Sequence, residues 1–579
     1  MVFVITFDIV IKNGRIVDGT GKKSYLADIG IKGDKIALIG KIDADAPSID
    51  ASGCYVTPGF IDPHSHADAS LFLYPDCESY LRQGITTFIG GQCGDANAPI
   101  YNWWMRKYWE YCVWDDIDPF VWVPKTVQPA ARVVDVVRER FGYDIQWRSL
   151  SEYAKVVENL GLGCNMIMLA GHSQIRADVM CDDSRRPEDS EMRMMKAHLD
   201  DAFAAGAWGF STGRDYPPSY YADTDEIMEL ARHTLAHDGC YFTHWKRTGH
   251  RVGVPKRPNK LEGIVEALDI SLLAGIKTQI SHLTTGYEIY PEDSRMDVLA
   301  AELTLLKIDE YRERGADAAF DVIPGTSGGI AINPYLASLL MPWVKQSGSL
   351  GQFVTNLKAR DYRASIISTL GGGGWYAINP IVNPSWDKKI FIIVGPDGTM
   401  GRSIREIADE RRMDALEAMV DILMETPRTT IEKRDKSEEE IRALLNHPMC
   451  FVCTDTYAFD IRGPYGNDAE LPEILPHPHT YCAFPKYILD CCGREPIETT
   501  VRRITGAPSE FMGIRGRGTI KEGWSADLVI FNVKELATNE SYIEPRAWPG
   551  GVRFVIVNGE PVVTPDGFTG KRAGMILKK

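Results

Sequence analysis

The chain has 579 residues, 44% hydrophobic and 25% charged, an ordinary globular balance in a chain too long for one small domain. A net charge of −15 argues against nucleic acid as a main partner, and no run of about 18 apolar residues offers a membrane span. The 12 cysteines show no framework spacing and the N-terminus lacks a basic leader, so a reduced, cytoplasmic setting is expected.

Residues 7 to 55 alternate apolar and polar positions between Gly-containing turns, as in Asp8-Ile-Val-Ile-Lys-Asn-Gly14 and Lys35-Ile-Ala-Leu-Ile-Gly40. That texture predicts short antiparallel strands. It returns at Ala526-Asp-Leu-Val-Ile-Phe531 and Val552-Arg-Phe-Val-Ile-Val-Asn-Gly559. One small β-sandwich built from both chain termini is the expectation, with two separate β-caps as the alternative.

From Pro58 to about Ala507, apolar strand-like runs alternate with helical periods. The eight strand candidates are 60–64, 86–93, 166–172, 208–213, 240–244, 278–282, 319–324 and 450–455, and most end in a polar or ionisable residue. Eight β/α units with chemistry at the strand ends describe an α/β fold, a TIM (β/α)8 barrel. The expected divisions are 1–57 and 510–579 for the sandwich and 58–509 for the barrel, with inserts near 100–150 and 325–448.

The first insert carries Trp103, Trp104, Trp109, Trp114 and Trp122, read as a packed subdomain or subunit surface, or else as a wall over the site. In the second, Gly371-Gly-Gly-Gly374 lacks the Lys-Ser/Thr of a phosphate loop and reads as flexible loop. The charged run Glu432-Lys-Arg-Asp-Lys-Ser-Glu-Glu-Glu440 reads as a solvated helix face.

The chemistry is carried by the strand ends. His64 and His66, one residue apart, share a face of the first strand, so both rings can reach one divalent ion. Cys93, His244 and His282 end the second, fifth and sixth strands, and Asp455 ends the eighth. This borderline-soft N/S/O set suits one or two Zn2+ ions. The fourth strand, Phe210-Ser-Thr-Gly213, offers no Lys to bridge two metals, which leaves the Cys93 thiolate as the bridge. Asp455 is then the proton carrier for hydrolysis of an amide-like C–N bond, or another ligand, or both.

These motifs resemble the amidohydrolase superfamily, and within it the N-acyl-D-amino-acid deacylase (D-aminoacylase) family. The resemblance runs along nearly the whole chain. It rests on Pro58-Gly-Phe-Ile-Asp-Pro-His-Ser-His66, the Gly91-Gln-Cys-Gly94 loop, Gly171-His172 with Arg176, and Phe210-Ser-Thr-Gly-Arg-Asp-Tyr216. It continues through Thr243-His244, Ile280-Ser-His282, Phe320-Asp-Val-Ile-Pro324, Thr454-Asp455 and Gly523-Trp-Ser-Ala-Asp-Leu-Val-Ile-Phe531. It implies a tight Zn2+ site at Cys93, His244 and His282, a weaker one at His64 and His66, and Asp455 as catalytic carboxylate, while His172 reads as a support behind the ligands or a structural residue.

The departures concern the substrate. Thr284 stands where the family has Lys, Gly325 follows Pro324 where a Tyr is usual, and His479 replaces an Arg. Those positions hold a free α-carboxylate in the family, a bidentate task for which Arg is hard to replace. Tyr216 survives, and Arg214, Lys246 and Arg247 add positive charge near the expected site. Tyr216, Arg214, Lys246 and His479 are therefore the candidate substrate contacts. The expected partner is a small-molecule amide, first an N-acyl-amino acid and alternatively a cyclic amide or imide. A non-catalytic barrel is the remaining reading. A homo-oligomer is compatible with the sequence.

Overall fold

The computed structural model describes residues 6–106, 127–141, 144–215, 217–246, 260–289, 293–329, 335–375, 378–381, 383–461 and 477–579. Trp109, Trp114, Trp122, Tyr216 and Arg247 lie outside them.

Eight parallel strands succeed one another in chain order. They are β1 (Phe60–Asp62), β2 (Ile85–Gly90), β3 (Asn165–Met168, resumed at Ala170–Gly171), β4 (Gly209–Gly213), β5 (Cys240–His244), β6 (Thr278–Ile280), β7 (Ala318–Val322) and β8 (Cys450–Val452). Each neighbours the next in space, which is the order of a TIM-type barrel. The strands read as continuous apolar runs because both faces are covered; Ile85-Thr-Thr-Phe-Ile-Gly90 is buried throughout. Ile61, Ile89, Ile167, Phe242, Ala319 and Phe451 belong to one buried cluster contributed by six of the strands.

The ladder is not a closed ring. β3 breaks at Leu169, its first half pairing with β2 and its second with β4, so the strands form a three-stranded and a six-stranded sheet. Between β1 and β8 the seam is bridged just beyond the strands. Asp455 N donates to His64 O at 3.0 Å and His66 N to Thr456 O at 2.9 Å. Buried Asp62 adds to it, accepting from Thr454 Oγ1 at 2.5 Å and from the amides of His64 and Thr454 at 3.2 Å.

The two chain ends meet in one hydrogen-bonded sheet of nine strands. Leu528–Phe531 from the C-terminal part pairs antiparallel with Tyr55–Pro58 from the N-terminal part. Ile16, Val56, Leu528 and Ile556 are among the residues of its buried core.

The second insert has a core of its own, drawn from Tyr335 to Ile431 and including Leu340, Phe353, Ile392, Met419 and Leu423. Gly371 ends the helix Arg360–Gly371, and Gly372 caps it by donating its amide to Leu370 and Ser368. The charged run divides between a strand, Thr430–Lys433, and the first turn of a helix, Glu438–Leu445. It is not one solvated face. Glu432 is buried against His477 at 2.6 Å, and Glu440 is buried and accepts from the Thr285 amide at 3.1 Å.

Candidate metal centre

The polar residues at the strand ends converge. Cys93 Sγ lies 3.4 Å from His64 Nε2 and 3.6 Å from both His244 Nδ1 and His282 Nε2. Asp455 Oδ1 lies 3.2 Å from the Nε2 atoms of His64 and His66. The donor atoms of His64, Cys93, His282 and Asp455 all fall within 4.8 Å of one another. Zinc bonds of about 2.3 Å to sulfur and 2.0–2.1 Å to nitrogen, at a tetrahedral angle, separate S and N by about 3.6 Å. The three sulfur–nitrogen spacings around Cys93 match that edge, so this donor set fits zinc.

The backbone sets this convergence. Cys93, His282 and Asp455 take φ of 58°, 38° and 52°. That left-handed region is uncommon for residues with a Cβ and costs of order 1–3 kcal/mol where the surrounding structure imposes it. Each lies just past the C-terminal end of its strand, where the chain departs from the extended conformation.

Charge reinforces the geometry. Burial opposes ionisation of the Cys93 thiol, but His64 and hydrogen bonds from His244, His282 and His64 outweigh it and hold the thiol well below its usual range. Burial likewise opposes charge on His64, yet Cys93, Asp455 and Asp321 push it well above an ordinary histidine. Asp455 resists burial through His282, His64 and His66 and stays well below the usual carboxylate range.

Three further carboxylates, present in the motifs yet not singled out as site residues, support the ligands. Asp215 Oδ2 is 3.3 Å from His244 Nε2, the nitrogen facing away from Cys93. Asp321 accepts from the His282 amide and from Gln279 Nε2, both at 2.6 Å, and its Oδ2 stands 3.8 Å from His64 Nδ1. Such partners fix the orientation of ligating imidazoles. Asp62, on the β1–β8 seam, is pushed up to about 7, chiefly by burial. The available signal was their position beside each ligand in sequence or on a neighbouring strand.

The expected substrate residues divide. His479, at the start of the helix His479–Cys491, is buried with neither ring nitrogen hydrogen-bonded. Burial, then His477 and Lys436, hold it well below an ordinary histidine, so the ring is neutral. It lines a cavity with Gly325, Thr326, Lys486 and Tyr542. Lys246 is half-buried with its Nζ 4.9 Å from the Tyr220 ring centroid. Arg214 is engaged elsewhere. Its guanidinium donates to Glu266 at 2.8 and 3.3 Å and to the carbonyls of Ser219 and Ala222 at 2.6 and 2.9 Å. These bonds brace the turn between Ser219 and Ala222. His172 joins the same buried network through Ser219 and Glu226, with Arg176 also on Glu226. Tyr216 lies outside the described residues.

The pattern of the amidohydrolase family matches residues 48–247 and 402–563. D-aminoacylase from Alcaligenes xylosoxydans xylosoxydans is 26% identical, over 99% of this chain and 98% of that one. N-acyl-D-glutamate deacylase from the same organism is 27% identical, over 99% and 96%. A crystal structure of D-aminoacylase, described as defining a novel subset of amidohydrolases, superposes with a TM-score of 0.69 at 25% identity, over 99% and 100% of the two chains.

Proposed function

This chain belongs to the amidohydrolase family, and from that premise we propose that it is a zinc-dependent deacylase that hydrolyses the amide bond of an N-acyl-amino acid. The observation that carries the proposal is Cys93 held by three imidazoles at 3.4–3.6 Å with Asp455 against two histidines. Full-length similarity to two deacylases supports the substrate class.

In this reading Cys93, His244 and His282 hold the tighter zinc position and His64 and His66 contribute a second one. When bound, zinc supplies Lewis acidity to a water molecule and to the scissile carbonyl. Asp455 accepts the proton of the attacking water on its carboxylate and returns it to the leaving nitrogen. Its carboxylate is ionised, as an acceptor must be. Asp215 and Asp321 keep the imidazoles in register. Lys246 and Tyr216 are the candidates for the charged end of the substrate. We take the nine-stranded sheet for the β-sandwich of this family, with residues 58–509 as the barrel domain, and place the enzyme in the cytoplasm.

A second reading rests on His479. A neutral imidazole offers one donor and one acceptor, which suits a cyclic amide or imide better than a carboxylate. One experiment addresses both readings. Purified protein is assayed for amino-acid release from N-acetyl-D-amino acids and for opening of hydantoin-type rings, before and after chelation. Chelator-sensitive release from the N-acetyl substrates supports the deacylase, whereas ring opening alone moves the assignment to the cyclic amide. Failure on both, in zinc-loaded protein, overturns the hydrolytic reading.

A further inference from the structure

The helices α1 (Asp189–Ala204) and α2 (Thr224–Ala236) carry a second convergence of donor atoms, away from the Cys93 centre. Residues four apart on a helix lie on one face, so His233 and His237 stack along α2 and its C-cap, with ring centroids 5.4 Å apart. Both aim Nε2 at the same atom. Asp200 Oδ1, in the last turn of α1, is 2.7 Å from His233 Nε2 and 2.8 Å from His237 Nε2. All three donor atoms lie within 4.8 Å of one another. The Phe203 ring lies flat against His237, with centroids 4.5 Å apart and planes 12° apart, and so restrains its orientation.

One turn earlier the same two helices are joined by a simple ion pair, Lys196 with Glu229 at 2.6 Å. The Asp200 rung therefore differs from its neighbour in kind. It brings two imidazole nitrogens to one carboxylate oxygen at hydrogen-bond distance, and these side chains are 24–52% exposed, so an ion can reach them from solvent. Two imidazoles and a carboxylate are a donor set for a borderline divalent transition metal, with water completing the shell. Because α1 leads into β4 and α2 into β5, the ends carrying these residues sit where the strands begin. The Cys93 centre sits where the strands finish.

We propose that Asp200, His233 and His237 form a surface site for a divalent transition metal such as Zn2+, separate from the Cys93 centre, that staples α1 to α2. A metal bound only to the folded arrangement stabilises it in proportion to its occupancy. The site does not depend on the hydrolytic reading.

The test uses the full chain, stripped with chelator and titrated with Zn2+ alone in a calorimeter, beside the double variant His233→Ala/His237→Ala. The expected result is one zinc equivalent fewer in the variant, and a zinc-dependent rise in melting temperature that is smaller than in the unaltered protein. Equal uptake by both proteins overturns the proposal. Co2+ spectra identify which site was lost. The wild-type-minus-variant difference should hold ligand-field bands without a thiolate charge-transfer band, and a thiolate band there would contradict the assignment. Asp200→Asn, which keeps the shape of the side chain, should weaken the same equivalent; unchanged affinity counts against the site.

Discussion

Gly329 lies so close to Asp455 that a Cβ built on it would stand 2.2 Å from Asp455 Oδ2 and 2.5 Å from Cγ. The loop after β7 thus forms a wall for the carboxylate, and only a residue without a side chain fits there. Gly329→Ala should displace Asp455 and lower kcat on whichever amide is turned over by about 10²-fold or more, the range lost when a positioned proton carrier moves. Zinc content and melting temperature should change little. Unaltered kcat would show that Asp455 has room to spare.

Asp321 meets the site from a neighbouring strand, accepting from the His282 amide at 2.6 Å and facing His64 Nδ1 at 3.8 Å. Asp321→Asn should weaken zinc binding about 10–100-fold, as outer partners of ligating histidines do. Competition with a chelator of known affinity reads the change.

Buried Arg214, 2% exposed, pairs with the partly buried Glu266, 15% exposed, and is also bonded to two backbone carbonyls. Arg214→Met leaves Glu266 without its charge partner and should cost about 3–5 kcal/mol of stability. Urea denaturation measures it, and a cost under about 1 kcal/mol, as for an exposed pair, would contradict the bracing role.

Asp460 supplies a pH signature. Burial, with the nearby charges of Asp76 and Glu78, pushes its carboxyl up from 3.8 to about 7, against the backbone hydrogen bonds that it accepts. Between those two values the folded chain keeps a proton that the unfolded chain has released. Stability from this group therefore falls as pH rises through the window, with a slope of up to about 1.4 kcal/mol per pH unit. Asp460→Asn should abolish that slope, so the stability difference between variant and wild type should change with pH when followed by denaturation between pH 4 and 7. Parallel curves would refute the shift.

The strand order was legible because the strands are covered apolar runs, most of them closed by a polar residue, and Cys93, His244, His282 and Asp455 stand at four of those closures. Their left-handed backbone at 93, 282 and 455 was not legible, since nothing in a Cys, His or Asp announces positive φ. Arg214 reads as a free cation in sequence; only the fold brings Glu266 to it from 52 positions away. The separate core between Tyr335 and Ile431 and the burial of Glu432 and Glu440 were likewise invisible. A charged run shows its composition but not which carboxylates a neighbouring element will cover.

The proposed hydrolysis turns on Asp455. The most direct measurement compares amino-acid release from an N-acetyl-D-amino acid by zinc-loaded wild type and Asp455→Asn, with zinc content determined in both. Asparagine keeps the shape and removes the proton acceptor, so kcat should fall about 10²–10⁴-fold while zinc at the Cys93 position persists. Equal rates at equal zinc content would contradict the mechanism.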